Sequence, residues 1–521
     1  MNLLRATATI GGLTLMSRIA GFVRDVLMAR YIGAGMAADV FLIAFRLPNL
    51  FRSLFAEGAF SAAFVPMFNR QVGEDGGDLR RARRFAEDVL SVLLPVLLLF
   101  TFVMVVAAGP VVWALTGGFR DDDPAKFALA VDFTRLTFPY LMLVSLVALM
   151  GGILNSLGRF WVNAAAPVLL NITLISSLLL FAGKADVLVA RGLALAVSLA
   201  GVAQLLWLLW GCLRADVRLR LRRPRLGADV RRMMQLIVPA ALGAGAVQIN
   251  LLISTALAAR FLPEGAVSWL YYADRLNQLP LGIIGIGVGT ALLPALSRQI
   301  GAGEDAAAQR TQNRAIELAL LLTLPCAAGL ALLAAPIIGT LLEQGAFLAS
   351  DTGATSAALS VFALGLPAYV LIKVLTPGFH ARQDTATPVR VALGAIAINL
   401  IGNLLLIWPL GHIGIAVATA VSAWANAAML YLLLHRRGLF AIDARLRRTL
   451  PRLVLATALM GALLAGLLAA LPFAAAATLA GRALLLLILI IGGALAYLAA
   501  VRLLGVITFA EFKAQFRRGK A

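Results

Sequence analysis

Residues 89–106 read VLSVLLPVLLLFTFVMVV, eighteen positions without one charged side chain. With its flanks, such a run approaches the ~20 residues that carry a helix across a bilayer. Leu141 to Ile153, Leu205 to Leu213 and Leu484 to Leu498 repeat the pattern, which predicts many crossings rather than one anchor. The 521-residue chain is 61% hydrophobic and 13% charged, with a mean hydropathy of +0.92. A surface of that composition must meet lipid. Met1 to Ala20 has no compact apolar stretch ending in a small-residue cleavage site, so the first helix is expected to be retained. Cys212 and Cys326 are isolated among apolar neighbours and read as inert thiols rather than staples or metal ligands.

The formal charge of +20 raises nucleic acid as a partner, and its distribution argues against one. The pattern predicts spans at 3–32, 36–65, 84–113, 127–156, 160–183, 187–212, 230–261, 266–297, 312–342, 353–379, 386–409, 413–434, 450–472 and 479–503. Basic residues then gather in alternate loops, around Arg70 to Arg84, Arg214 to Arg225, Arg298 to Arg314 and Arg436 to Arg448. The excess of Lys and Arg on one side of a membrane marks its cytoplasmic face, so both termini are expected inside and the basic bias is topological.

A 228-residue shift lays the chain on itself. Pro66, Arg70, Gln71 and Gly73 meet Pro294, Arg298, Gln299 and Gly301, while Phe119 meets Phe347, Pro139 meets Pro367 and Asn171 meets Asn399. Further on the register slips by six, pairing the stretch from Gly192 with that from Gly414. Fixed-offset matches of this kind indicate duplication. Six spans per unit give parallel repeats around a central cavity. The expected fold is an all-α polytopic membrane protein of fourteen transmembrane helices. It comprises an N-terminal lobe (1–213), a C-terminal lobe (214–437) and two appended helices with a tail (438–521).

Arg18, Arg24, Asp25, Asp39, Arg46, Arg52 and Glu57 lie within the first two spans, where a central charge costs roughly 2.5–3.5 kcal/mol. Arg18 and Asp25 share a helical face at a spacing of seven, as do Asp39, Arg46 and Glu57 at seven and eleven. Arg24 and Arg52 fall out of phase on straight helices; Pro48 and Gly11, Gly12 and Gly21 offer places to bend. The eighth span answers with Asp274 and Arg275, and Lys373 adds a further cation. Structural ion pairs or snorkelling side chains are the bland alternative, strongest for Arg30, Arg46 and Lys373. Four guanidiniums, Arg18, Arg24, Arg52 and Arg275, exceed what nearby acids need, and their planar forks suit phosphate oxygens. The cavity is therefore expected to take an anion.

Other signals are weak. The glycines from Gly282 lie within a span and read as helix packing, no Walker lysine motif occurs, and His380, His412 and His435 are dispersed near helix ends. No carboxylate pair is placed for general acid and base work on a glycoside, so a transporter is expected rather than an enzyme.

The stretches SRIAGFVRDVLMARYIGAG (17–35), ADVFLIAFRLPNLFRSLFAEGAFSAAFVPMF (38–68), SWLYYADRLNQLPLGIIGIGVGTALLPALS (268–297) and PGFHARQDTATPV (377–389) resemble the MurJ (MviN) family. These are lipid II flippases of the multidrug, oligosaccharidyl-lipid and polysaccharide exporter superfamily. The resemblance covers essentially the whole chain. It implies a bacterial inner-membrane protein that exports lipid II, undecaprenyl-pyrophosphate bearing a disaccharide-pentapeptide, to the periplasmic leaflet for peptidoglycan synthesis. It also implies a groove for the lipid tail beside the last two helices and contacts with bilayer lipids and cell-wall synthesis proteins. Arg18, Arg24, Arg52 and Arg275 match the family's functional arginines, with Asp25, Asp39, Glu57 and Asp274 as partners or gating groups. Gln278 stands where some members carry an acid, which puts a proton or ion role there in doubt. No cofactor is implied, although some members resemble sodium-coupled carriers; Asp384 and Thr387 are candidates for a monovalent cation. The competing readings are a flippase for another polyprenyl-linked oligosaccharide, a multidrug exporter, and a membrane glycosyltransferase or non-transporting scaffold.

Overall fold

A computed structural model describes residues 3–52, 60–73, 79–119, 123–471 and 478–506. Among the described residues every regular element is helical. In chain order these are α1 (Leu3–Ile32), α2 (Met36–Phe51), α3 (Phe60–Gly73), α4 (Leu79–Val106), α5 (Ala108–Thr116) and α6 (Pro124–Thr137). There follow α7 (Pro139–Ser156), α8 (Phe160–Leu180), α9 (Asp186–Arg214), α10 (Ala228–Phe261), α11 (Ala266–Gly301) and α12 (Asp305–Leu332). The last six are α13 (Ala334–Leu341), α14 (Ala349–His380), α15 (Ala386–Leu410), α16 (His412–Arg436), α17 (Ala444–Ala470) and α18 (Leu479–Leu503).

Ten helical stretches among the described residues are long and apolar enough to cross a membrane, with α6 and α7 counted together. Several expected continuous spans are broken. The span expected at 84–113 divides at Ala107 into α4 and α5, that at 127–156 divides at Phe138, and that at 312–342 divides at Leu333. At the second break Pro139 has no N–H to donate back into α6, so its ring starts a new helix. The span expected at 36–65 is described as α2 up to Phe51 and α3 from Phe60. Helix starts carry their own acceptors: Asp123 caps α6 through the Ala125 N–H, Asp443 caps α17 through Leu446, and Thr478 caps α18 through Gly481.

The chain forms two compact units, residues 1–268 with 344–347, and residues 269–343 with 348–521. This division by contact falls later than the division by repeat at 213/214, because α10 packs on α2, α3, α4 and α5. Among the long apolar stretches of the first unit, α6–α7 is the most enclosed, with 72% of its most apolar window buried against 28% for α4, whose Leu98, Leu99 and Phe102 face outward. Phe64, Phe68 and Phe85 fill the core between α3, α4 and α7, with Phe64 and Phe85 stacked at 5.6 Å. In the second unit α14 is the enclosed element at 61%, and α17 is peripheral at 22%. Both appended helices join that unit's core through Leu453, Met460, Leu489 and Tyr497; the Tyr497 hydroxyl donates to the Leu321 carbonyl at 2.8 Å. Packing of this kind in lipid rests on close van der Waals fit and a few polar contacts.

Helix starts also recur at a fixed offset. α4 and α12, α5 and α13, α8 and α15, and α9 and α16 each begin 226 residues apart, at Leu79 and Asp305, Ala108 and Ala334, Phe160 and Ala386, and Asp186 and His412.

Candidate functional site: a cationic groove in the first unit

A cavity of about 630 Å³ opens in the first unit between α1, α7, α8 and α9, with Arg52 at the end of α2. Its polar lining comprises Thr14, Ser17, Arg18, Arg52, Asn155, Asn163 and Gln204, together with the phenol of Tyr140. Arg18 is exposed to this space and has no hydrogen bond or ion pair with any described residue. Arg52 is half-buried and donates from Nε to the Asn49 Oδ1 at 2.9 Å, one turn back on α2. The groove thus presents an unpaired guanidinium beside a tethered one.

Arg24 is placed differently. It is 6% exposed, does not line the groove, and holds Asp25, itself 3% exposed, through Nε at 3.0 Å and Nη2 at 2.7 Å. Its Nη1 donates to the Asn171 Oδ1 at 3.1 Å, and the Asn171 Nδ2 donates in turn to the Ser17 carbonyl at 3.0 Å. Asn171 therefore ties the buried ion pair to the groove wall. The phase that grouped Arg18 with Asp25 does not survive: Arg18 faces the groove, and Asp25 lies inside with its chain neighbour Arg24.

Asp39 does not meet the arginines either. Its carboxylate, 3% exposed, accepts from the N–H of Gly265 at 2.8 Å and from the N–H and hydroxyl of Ser268 at 2.9 and 2.6 Å. It caps the first turn of α11, where unpaired N–H groups and the helix dipole favour a negative charge. Glu264 returns the contact by accepting from the Met36 N–H at the start of α2. Nearby, the backbone of Ala346 donates to the Arg30 carbonyl at 2.9 Å; a Cβ at Gly345 would lie 2.3 Å from that oxygen, so the approach requires glycine. Glu57 lies outside the described residues.

Arg275 belongs to the second unit. Its guanidinium lies over the Tyr271 ring at 5.5 Å, with Nε at 3.3 Å from the phenol oxygen. Asp274 accepts from the Gln278 amide, so the residue that departs from an expected acid serves as a neutral donor. Lys373 fits against Gly285, where a Cβ would meet its Cδ at 2.9 Å. The weak cation candidates are already engaged: Asp384 accepts from the Thr387 N–H at 2.9 Å, the Thr387 hydroxyl at 2.6 Å and Arg437 at 2.7 Å. These contacts, the Thr387 hydroxyl foremost, hold its carboxyl down to about 2. Among the described residues no cluster of three His, Cys, Asp or Glu could hold a metal.

Sequence reasoning on charges missed Asn155, Asn163, Asn171 and Gln204. The available signal was their presence as uncharged hydrogen-bonding groups inside apolar helices; the match of Asn171 with Asn399 pointed at one of them.

The family model described as "Lipid II flippase MurJ" matches residues 28–482. The chain is 44% identical to the "Probable lipid II flippase MurJ" of Rhizobium meliloti (strain 1021), with 100% of this chain and 97% of that protein covered. It is 46% identical to the protein of the same name from Rhizobium tropici, over 88% of this chain and 86% of that one. A solved structure described as "Lipid II flippase MurJ, inward closed conformation" superposes with a TM-score of 0.78 at 24% identity, covering 95% of this chain and 98% of the other. With a family model spanning most of its length and relatives this similar end to end, the chain is a member of the MurJ lipid II flippase family.

Proposed function

We propose that this protein is a transporter that carries lipid II from the cytoplasmic to the periplasmic leaflet of the bacterial inner membrane, exposing its groove to one side at a time. The observation that carries the reading is Arg18, a guanidinium within an apolar helix and with no partner among the described residues, beside Arg52 in the groove of about 630 Å³. An unpaired charge there is costly, and a pyrophosphate leaving water needs charge-assisted hydrogen bonds to replace its hydration. Each requirement answers the other. Arg24 acts one step back, held by Asp25 and Asn171.

The reading includes fourteen spans, with α1, α2–α3, α10 and α11 added to the ten most apolar stretches, arranged as two repeats of six and two appended helices. Both termini are cytoplasmic, following the basic loops. In the second unit, Arg275 with Asp274 beside it is that unit's own candidate contact for an anionic group, and the uncharged middles of α17 and α18 offer an apolar surface for the polyprenyl tail. Monovalent-cation coupling through Asp384 and Thr387 requires Arg437 to leave that carboxylate first.

Depletion of the protein in cells, followed by analysis of the lipid-linked precursors in the inner leaflet, tests the substrate. Lipid II should accumulate, wild-type protein should relieve it, and Arg18→Ala should not despite normal expression. Accumulation of a different polyprenyl-linked oligosaccharide would select the rival flippase reading. Full relief by Arg18→Ala and Arg52→Ala, each normally expressed, would remove the anion groove.

A further inference from the structure

The groove is long, and its polarity changes along its length. On α7 it touches Tyr140, Val144, Ala148, Gly152 and Asn155, one face of the helix followed for fifteen residues, or roughly 22 Å at the α-helical rise. The charges of Arg52 and Arg24 act on Tyr140 at one end. At the other end stand Asn155, Phe160 and Asn163, with no charged side chain in the lining there. On α8, Asn163 precedes Asn171, the residue that holds Ser17 and Arg24, by eight positions, or about 12 Å.

The two amides are built in and uncommitted. Neither the Asn155 nor the Asn163 carboxamide has a hydrogen bond to any described residue, and both residues are half-buried. Asn163 occupies the space of a missing side chain: a Cβ on Gly151 would lie 2.4 Å from its Oδ1 and 2.8 Å from its Cγ. Each carboxamide offers two donors and one acceptor without charge, a set suited to hydroxyl and acetamido groups and poorly suited to selecting an anion. Polar groups left unmatched at this depth are a standing cost that a polar ligand removes.

We propose that Asn155 and Asn163 form the carbohydrate subsite of the groove, reading the sugars bonded to a pyrophosphate held by Arg18 and Arg52. The inference rests on the reading of the chain as a polyprenyl-pyrophosphate glycan flippase. It adds what that reading lacks, a place where the glycan is distinguished from the bare lipid carrier.

The test compares two probes on the full-length purified protein in lipid nanodiscs: a polyprenyl pyrophosphate without sugar, and the same lipid bearing the disaccharide. Asn155→Ala combined with Asn163→Ala should weaken binding of the glycosylated probe about tenfold, the loss expected for a few neutral hydrogen bonds, and the bare probe far less. Arg18→Ala should weaken both probes alike. Asn163→Leu, which keeps bulk against Gly151 but removes the donors, should reproduce the selective loss if the Ala variant repacks. Equal weakening of both probes by the amide variants, or no weakening of either, would overturn the subsite. A wild-type protein that binds neither probe would instead sink the flippase reading on which it stands.

Discussion

Asn171 on α8 and Asn399 on α15 lie 228 residues apart on helices that begin 226 apart, yet their surroundings differ. Asn171 accepts from Arg24 and donates to Ser17, joining a buried ion pair to the wall of a cationic groove. Asn399 accepts from the neutral amide of Asn403 and donates to the Thr419 hydroxyl. A buried amide is adaptable because it donates and accepts, so the same residue type can serve a charge in one place and a helix seam in the other. The difference sets the proposed anion site of the first unit apart from the neutral surroundings of Asn399 in the second.

The sharpest way to break this comparison is to remove both amides separately. Asn171→Leu strips Arg24 of a charge-assisted hydrogen bond and should cost about 2–3 kcal/mol of stability, with transport lost even in the folded fraction. Asn399→Leu should cost about 1–3 kcal/mol while its folded fraction transports at the wild-type rate. Thermal unfolding in detergent, paired with flipping by the purified protein in vesicles, reads both quantities. Equal transport by the two variants would erase the distinction.

Two glycines sharpen it. A Cβ at Gly201 would meet Leu143 Cβ at 2.9 Å and the Tyr140 ring at 3.0 Å, and at Gly402 it would meet Ala418 Cβ at 2.9 Å. Both Ala variants should lose about 1–3 kcal/mol to overpacking. Gly201→Ala alone pushes on Tyr140 in the groove, so it alone should slow transport once corrected for folded protein in the same vesicle assay.

The smallest effect concerns the turns that precede α8 and α15. The first, Leu157 to Arg159, lacks a carboxylate; the second carries Asp384, paired with Arg437. Because the folded carboxyl sits near 2, below its ordinary 3.8, its contribution is present above about pH 4 and is lost as pH falls toward 2. Asp384→Asn should therefore melt slightly below wild type at neutral pH, and the gap should close at about pH 2. Surface exposure keeps the gap small. A gap that widened on acidification would contradict the pairing.

The long apolar helices were legible in the sequence because lipid imposes one composition over a fixed length, as in α4, α9, α16 and α18. The breaks at Ala107 and Leu333 had a signal as well, in Pro110 and Pro336 three residues on, which have no N–H to return to the carbonyls of Val106 and Leu332. Proline at 139 was a readable signal for the third. Among the charges, Arg18 and Arg52 were recognisable as misplaced cations. The destination of Asp39 was not, because its partners, Gly265 and Ser268, are more than 220 residues away and both donate a backbone N–H. The amides of the groove escaped notice for a different reason: Asn and Gln inside a span carry no net charge to stand out against Leu and Ala.

The Arg24–Asp25 pair joins consecutive residues of α1. Its closing contact needs no other helix, so the nascent segment can enter the membrane with those two charges already neutralising one another. Arg18, seven residues from Asp25 and without a described partner, has no such local relief and gains a hydrated setting when α7, α8 and α9 enclose the groove. During biogenesis α1 thus presents one charge that is compensated at birth and another whose cost persists until assembly, which makes its insertion dependent on helices translated more than a hundred residues later.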